Sequence, residues 1–342
     1  MNYKTLILPV LTLPLAGIHL IAITPLPVTA ELLKDTSSNL LLAQNPCPEN
    51  PNLPCRRRGG RNPAANITII SPTRGSLLNN KPTISWFPIS GATSYSVRIE
   101  YSEKILWEKI VENQTEILYP SDKAPLELDN DYEVIVETII NDKIKSGRVI
   151  FRLPNQAQQQ SIQTATQNIA NSQLTPDDKA IQIAEIYKKN DFLTAAIQTL
   201  NSAIKNESEN ITVYQMLGDL YIQANLPKLA ETPYQKALNL AGNLNDRNSQ
   251  AEIQLKLGKV YDTLDKSEEV IASLTSARAS YQSLNKLEFA ARVAQYLGEF
   301  YEEIPNRDLA IQWYETAKTE YESLGEIERA NIMEKKLQNL NQ

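Results

Sequence analysis

Imidazole is almost missing from this chain: 342 residues hold a single histidine, His19. It lies in an apolar leader, so a mature form without that leader carries none. Ser-His-Asp and Cys-His catalysis then have no base, and the commonest metal ligand is gone. Thiols are scarce as well. Cys47 and Cys55 are the only two cysteines, too few for a four-ligand zinc site. Basic excess is also lacking, with 34 Lys and Arg against 40 Asp and Glu and a net charge of -6. Acidic residues outnumber basic ones from 156 onward, which argues against nucleic acid as the main ligand. No residue pattern announces a cofactor or a metal. A 42% hydrophobic and 22% charged composition remains that of a globular protein, with room for two ordinary domains.

The one long apolar run is at the start. Lys4 precedes Thr5 to Ile23, Pro25 and Pro27 end the run, and small residues precede Glu31. This is the layout of a secretory signal peptide over 1–30, with a cut after Ala30 or after Ala43. The alternative is a retained anchor, which Pro9, Pro14 and the shortness of the run disfavour. The expectation is therefore an exported protein, periplasmic or at the cell envelope, with no membrane span once the leader is removed. Residues 31–65 are rich in Pro and Asn and read as a linker. In an oxidising compartment Cys47 and Cys55 can pair; otherwise they are two linker thiols. Arg56, Arg57, Arg58 and Arg61 form a basic knot: a contact for an anionic surface, a protease site, or a solvated linker. Asn66-Ile67-Thr68 and Asn113-Gln114-Thr115 are sequons that matter only in a glycosylating host.

From 66 to 153 the apolar pattern takes period two. Thr83–Trp86, Ser94–Tyr101, Leu106–Val111, Tyr132–Val136 and Val149–Phe151 alternate, separated by Pro72, Pro88, Gly91, Pro120, Pro125 and Gly147. Six or seven short strands at this spacing predict an antiparallel sandwich. Ile84-Ser85-Trp86-x-Pro88-x-x-Gly91-Ala92-x-x-Tyr95-x-Val97 resembles strands B and C of a fibronectin type III domain. Leu128-x-x-x-Tyr132-x-Val134-x-Val136 resembles its strand F, which would give Tyr132 the tyrosine-corner role. Asn130-Asp131 stands where the family has Pro-Gly. Trp86 is expected in the core. Trp107, grouped with Tyr95, Tyr101 and Tyr119, opens an alternative, a carbohydrate-binding surface. Glu100, Glu103, Glu108 and Glu112 could be read as a glycosidase acid pair, but alternating charges more commonly mark a solvated strand face.

Residues 154–175, rich in Gln and Asn, connect the two halves, either as an amphipathic helix covering the open first face of the C-terminal half or as a flexible link. From 176 to 342 one pattern recurs four times. Ala184 and Tyr187 are matched by Gly218 and Tyr221, Gly258 and Tyr261, and Gly298 and Tyr301. Nine residues after each Tyr stand Ala196, Ala230, Val270 and Ala310, then Leu200, Tyr234, Leu274 and Tyr314, then Ala203, Ala237, Ala277 and Ala317. Tyr187 and Tyr221 lie 34 residues apart and the later pairs 40. This resembles the tetratricopeptide repeat (TPR), an α-helical solenoid of stacked helix pairs. The units fall at about 177–210, 211–250, 251–290 and 291–324, followed by a capping helix over Ile327–Leu340. Thr175-Pro176-Asp177-Asp178, Ser249 with Glu252, and Asn285 with Glu288 read as helix starts. Pro233, inside a predicted helix, is expected to kink it. The extra residues after the second and third units should lengthen their helices.

The resemblance implies a function. Such arrays hold a protein or peptide in a groove lined by the first helix of each pair. The matching positions here are Asp178, Ile181, Glu185, Lys188 and Lys189; Thr212, Gln215, Asp219, Ile222 and Gln223; Glu252, Leu255, Lys259, Asp262 and Thr263; Arg292, Gln295, Glu299, Glu302 and Glu303. They do not form the Lys/Asn carboxylate clamp of some members. The acidic run at Glu299, Glu302 and Glu303 points to a basic or polar partner; the alternative is a solvated face without a ligand. The expectation is a non-enzymatic adaptor with no cofactor.

Overall fold

A computed structural model describes residues 66–304 and 306–341. The leader, the linker, Cys47, Cys55 and the arginine knot lie outside the described residues, and so do the expectations placed on them.

Eight strands and ten helices succeed one another among the described residues. The strands are β1 Ile69–Ser71, β2 Gly75–Ser76, β3 Thr83–Trp86, β4 Ser94–Tyr101, β5 Lys104–Glu112, β6 Glu116–Leu118, β7 Asn130–Ile140 and β8 Lys143–Leu153. They make a three-stranded sheet, β1-β3-β6, and a five-stranded sheet, β2-β8-β7-β4-β5. All neighbours are antiparallel except β2 and β8. Alternation does what period two requires. Tyr95, Val97 and Ile99 of β4 and Tyr132, Val134 and Val136 of β7 turn inward, meeting Ile84 and Trp86 from the smaller sheet in one core. Trp86 is fully buried, edge-on to Tyr95 at 5.2 Å. The Tyr132 hydroxyl donates to the Glu127 carbonyl at 2.9 Å, while its ring stacks on Phe151.

Burial corrects the carbohydrate reading. Trp107 is only 6% exposed and packs edge-on against Tyr119, and Tyr95 and Tyr119 are buried too. Of that aromatic group only Tyr101 reaches solvent, and one ring makes no stacking platform. Among the paired carboxylates, Glu100 is held by Arg98 at 2.7 Å and Glu108 accepts from Ser96. These are contacts of a strand face.

The helices are α1 Gln156–Ala170, α2 Pro176–Lys189, α3 Leu193–Lys205, α4 Ile211–Gln223, α5 Pro227–Asn243, α6 Arg247–Thr263, α7 Ser267–Ser283, α8 Leu287–Glu303, α9 Arg307–Ser323 and α10 Ile327–Leu340. The connector is helical: α1 opens on a capping box of Asn155 and Gln158 and buries Ile162. At α2 the Thr175 hydroxyl accepts from the Asp178 amide, with Pro176 in the first position. The other two expected starts are corrected. Asp246, three residues before Ser249, caps α6, and Asn285 lies in the turn before α8. The third and fourth pairs thus begin at Arg247 and Leu287, four residues before 251 and 291. The first helices α6 and α8 take up the extra length at their N-termini, and the second helices α5 and α7 at their C-termini. Helix α5 continues through Pro233.

From α5 onward, each helix of 17 residues ends in a short turn. The turns after α4, α5, α6, α7 and α9 share one device. Asn225, Asn245, Asp265, Asn285 and Gly325 adopt positive φ, between 54 and 74°. The next amide then reaches back to a carbonyl five residues earlier, as in Lys266 to Tyr261 and Lys286 to Tyr281, both at 2.9 Å. This is the Schellman closure, which satisfies the orphan carbonyls of a helix end.

The repeat positions do what close packing demands. A Cβ on Gly218 would lie 2.5 Å from the Tyr234 ring, on Gly258 2.6 Å from Leu274, and on Gly298 2.6 Å from Tyr314. Each glycine thus admits the second helix of its own pair. Ala184, Ala196, Ala230, Val270 and Ala310 are fully buried, and Tyr187, Tyr221, Tyr261 and Tyr301 pack into the same continuous core. The region 176–340 is a TPR-like array of paired helices ending in the capping helix α10. Among the described residues, no helix is long and apolar enough to cross a membrane.

Candidate functional site

The first helices of the pairs, α2, α4, α6 and α8, carry the predicted groove residues. Many of these side chains reach across to the next first helix. Gln215 donates to Glu252 at 2.5 Å, and Lys256 bridges Asp219 at 2.9 Å and Glu252 at 3.1 Å. Asp262 accepts from the Tyr296 hydroxyl at 2.7 Å. Glu302 accepts from Lys336 of α10 at 2.9 Å. A polar ladder therefore ties neighbouring repeats along this face.

The second helices add tyrosines. The Tyr234 hydroxyl donates to Asp219 and that of Tyr314 to Glu302, each at 2.5 Å. Burial, reinforced by these carboxylates, pushes both hydroxyls well above the usual tyrosine range. Burial works against the charge of Glu302, yet Tyr314 and Lys336 together hold its carboxyl below the ordinary range. The tyrosines and lysines of the two arrangements stand 80 residues apart, Tyr234 with Tyr314 and Lys256 with Lys336, while the carboxylates Asp219 and Glu302 take different positions on their helices. Sequence reasoning by single units missed them, because the third unit has Leu274 at the tyrosine position. A double-unit period was the signal available.

The predicted residues divide by what they can offer a ligand. Asp262 is buried. Asp219 and Glu302 already hold tyrosine and lysine partners. Glu185 pairs with Lys188 at 3.1 Å. Gln295 donates to Glu299 at 2.8 Å and accepts from Tyr321 at 2.9 Å. Lys189, Gln223, Lys259, Arg292 and Glu303 reach solvent. Lys259 lies over the Tyr296 ring and Arg292 over Phe289, both 5.8 Å from the centroid. The exposed positions therefore carry charges of both signs, backed by aromatic rings, which suits polar recognition of another chain better than covalent chemistry.

A second feature was illegible in the sequence. The β-module sits against the turn side of the first two pairs. The Ser76 amide donates to the Asp191 carbonyl at 2.7 Å, and the Thr73 amide donates to the Thr194 hydroxyl at 3.1 Å. Gly75, with φ of 104°, lies flush on Asp191, where a side chain would collide. Ile70 and Phe87 leave the β core and join that of the helices, with Lys228 over the Phe87 ring. Arg74 also donates to the Gln223 carbonyl at the end of α4, at 3.4 Å; none of these contacts falls on the other predicted residues of the first helices, the helix-A face.

Known proteins resemble part of the chain. Residues 214–342 match the family of soluble NSF attachment proteins, SNAP. No curated protein sequence matches the chain. Among solved structures, BtubC (BKLC) from P. vanneervenii aligns with 53% of this chain and 89% of its own, at 16% identity and a TM-score of 0.41. A MamA protein aligns with 48% of this chain and 91% of its own, at 23% identity and a TM-score of 0.37. A tetratricopeptide repeat protein from Parabacteroides merdae aligns with 54% of this chain and 85% of its own, at 15% identity and a TM-score of 0.30.

Proposed function

We propose that this protein is an exported adaptor that holds a protein or peptide along the helix-A face of its array. The observation that carries the reading is the four-fold repeat whose first helices present Lys189, Gln223, Lys259, Arg292 and Glu303 to solvent on a ladder that fixes the repeats in register. Binding rests on shape and polar matching without covalent chemistry. The match of 214–342 to a family of attachment proteins supports the same class of role. The acidic end of the face favours a basic or polar partner.

The β-module is proposed to be fibronectin type III-like and to serve as a spacer that fixes the array's orientation. Support comes from the division of strands into β1-β3-β6 and β5-β4-β7-β8, and from the bond of Tyr132 to a carbonyl five residues upstream, the contact a tyrosine corner makes. Export rests on the layout of residues 1–30.

Pull-down of the mature protein from its own envelope fraction tests the adaptor. Glu299→Lys combined with Glu303→Lys should weaken capture of the partner, while Glu108→Lys on the β-module should not. Equal capture by all three chains removes the helix-A face as the binding surface.

A further inference from the structure

The junction between the β-module and the array encloses a void of about 40 Å³, open at one side. Ser85 and Glu116 are direct cross-strand partners on β3 and β6, so their side chains lie together on the face turned to the helices. The Ser85 residue is 2% exposed, and its hydroxyl has no hydrogen-bond partner. Among the described residues no side chain donates to the Glu116 carboxylate, and burial pushes its pKa up. Ile70, Ile197 and Leu229 form apolar walls, and Thr194, Gln198 and Tyr221 also line the cleft. A carboxylate and a hydroxyl without partners, facing a half-enclosed apolar space, are costly unless a donor fills the gap.

We propose that this cleft binds an organic cation: an ammonium or guanidinium head between Glu116 and Ser85, with an aliphatic stem along Ile197 and Leu229. The chemistry of the lining selects the class. An anion would meet the Glu116 carboxylate. A calcium ion calls for about six to eight oxygen ligands, and one carboxylate with a few hydroxyls falls short. The apolar walls match the methylene stem that a lysine, an arginine or a free alkyl cation carries. The head can come from a separate molecule or from this chain, because Arg61 precedes Ile70 by nine residues, a reach of about 30 Å when extended.

Calorimetric titration with n-butylammonium and n-butylguanidinium, with n-butanol as the neutral control, tests the site on the full chain. At least one cation should bind saturably and butanol should not, and Glu116→Gln should weaken the cation about tenfold or more. Leu229→Trp, which fills the cleft and keeps the carboxylate, should abolish binding; it carries the test if Glu116→Gln does not fold. If the chain's own arginine holds the site, the parent chain will not take the probe. The chain with Arg56, Arg57, Arg58 and Arg61 all changed to Gln will then bind it, and adding Glu116→Gln removes that binding. Cation binding by neither chain, binding that survives both Glu116→Gln and Leu229→Trp, or equal binding of butanol overturns the proposal.

Discussion

At the scale of single residues, three glycines do the same job against different neighbours. Gly218 and Gly298 face tyrosine rings, whereas Gly258 faces Cδ2 and Cγ of the buried Leu274. A leucine branch can shift further than a ring anchored through its hydroxyl to Asp219 or Glu302. Changing a helical Gly to Ala gains up to about 1 kcal/mol of helix propensity, and overpacking costs about 1–3 kcal/mol. Gly258→Ala should therefore lose less in a urea titration than Gly218→Ala and Gly298→Ala, which lose about 1–2 kcal/mol. Equal losses at all three would mean the ring contacts do not set the cost. Tyrosine burial also makes an alkaline prediction. The Tyr261 and Tyr281 hydroxyls, desolvated in the array, are pushed up to about 12, while an unfolded tyrosine ionises near pH ~10. Below that pH both states keep the proton and nothing changes. Above it the unfolded chain ionises first, so stability falls between about pH 10 and 12. Melting measured against pH, alongside tyrosinate absorbance, checks this. These glycines and tyrosines were legible because they recur at fixed spacing. Asp219, Lys256 and Glu302 were not legible as ladder members, because their partners lie on other helices.

At the scale of the element, the turns decide the rhythm of the array. Asn245 holds φ of 55°, a region an L-residue enters at a cost of about 1–2 kcal/mol unless it is Gly or Asn. Asn245→Val should destabilise by about that much, and Asn245→Gly should be neutral or mildly stabilising. Chemical denaturation of the two variants tests the turn; indistinguishable midpoints would contradict it. Helix existence was readable from apolar spacing, and the start of α2 from Thr175 and Pro176. The starts of α6 and α8 were misread. Ser249 and Asn285 satisfy a capping pattern, yet the recurring left-handed residue just ahead of each helix sets the boundary. A reading of Asn245, Asp265, Asn285 and Gly325 at intervals of 20 or 40 would have found it. In the β-module the strands were readable from alternation, but which aromatic rings face outward was not. Trp107 pairs with Ile99 and keeps the phase of Val111, so it turns inward; the register shift between Ile99 and Glu100 lies just past it and leaves Ile105 exposed.

At the scale of the whole molecule, the contacts at Gly75, Thr73 and Phe87 join two folds that the sequence presents as beads on a string. Nothing in either module's own pattern marks those residues, since an interface between unlike folds leaves no period. Gly75→Val would force a side chain into Asp191. The parent protein should unfold in one transition. The variant should show two transitions in denaturation and a larger radius of gyration in solution scattering. An unchanged single transition would show that the junction does not couple the modules. A fixed β-module gives the array a defined direction, which is what an adaptor needs if its partner is to be presented in one orientation.

The most direct test of the central claim is a photo-crosslinking map. A photoreactive residue is placed at Lys259 or Arg292 on the first helices, and at Gln235 or Thr275 on the second helices, of the full chain expressed in its own cells. The account predicts that the same partner crosslinks at Lys259 and Arg292 and is absent at Gln235 and Thr275. A partner captured from the second-helix positions, with none at the first, would contradict it.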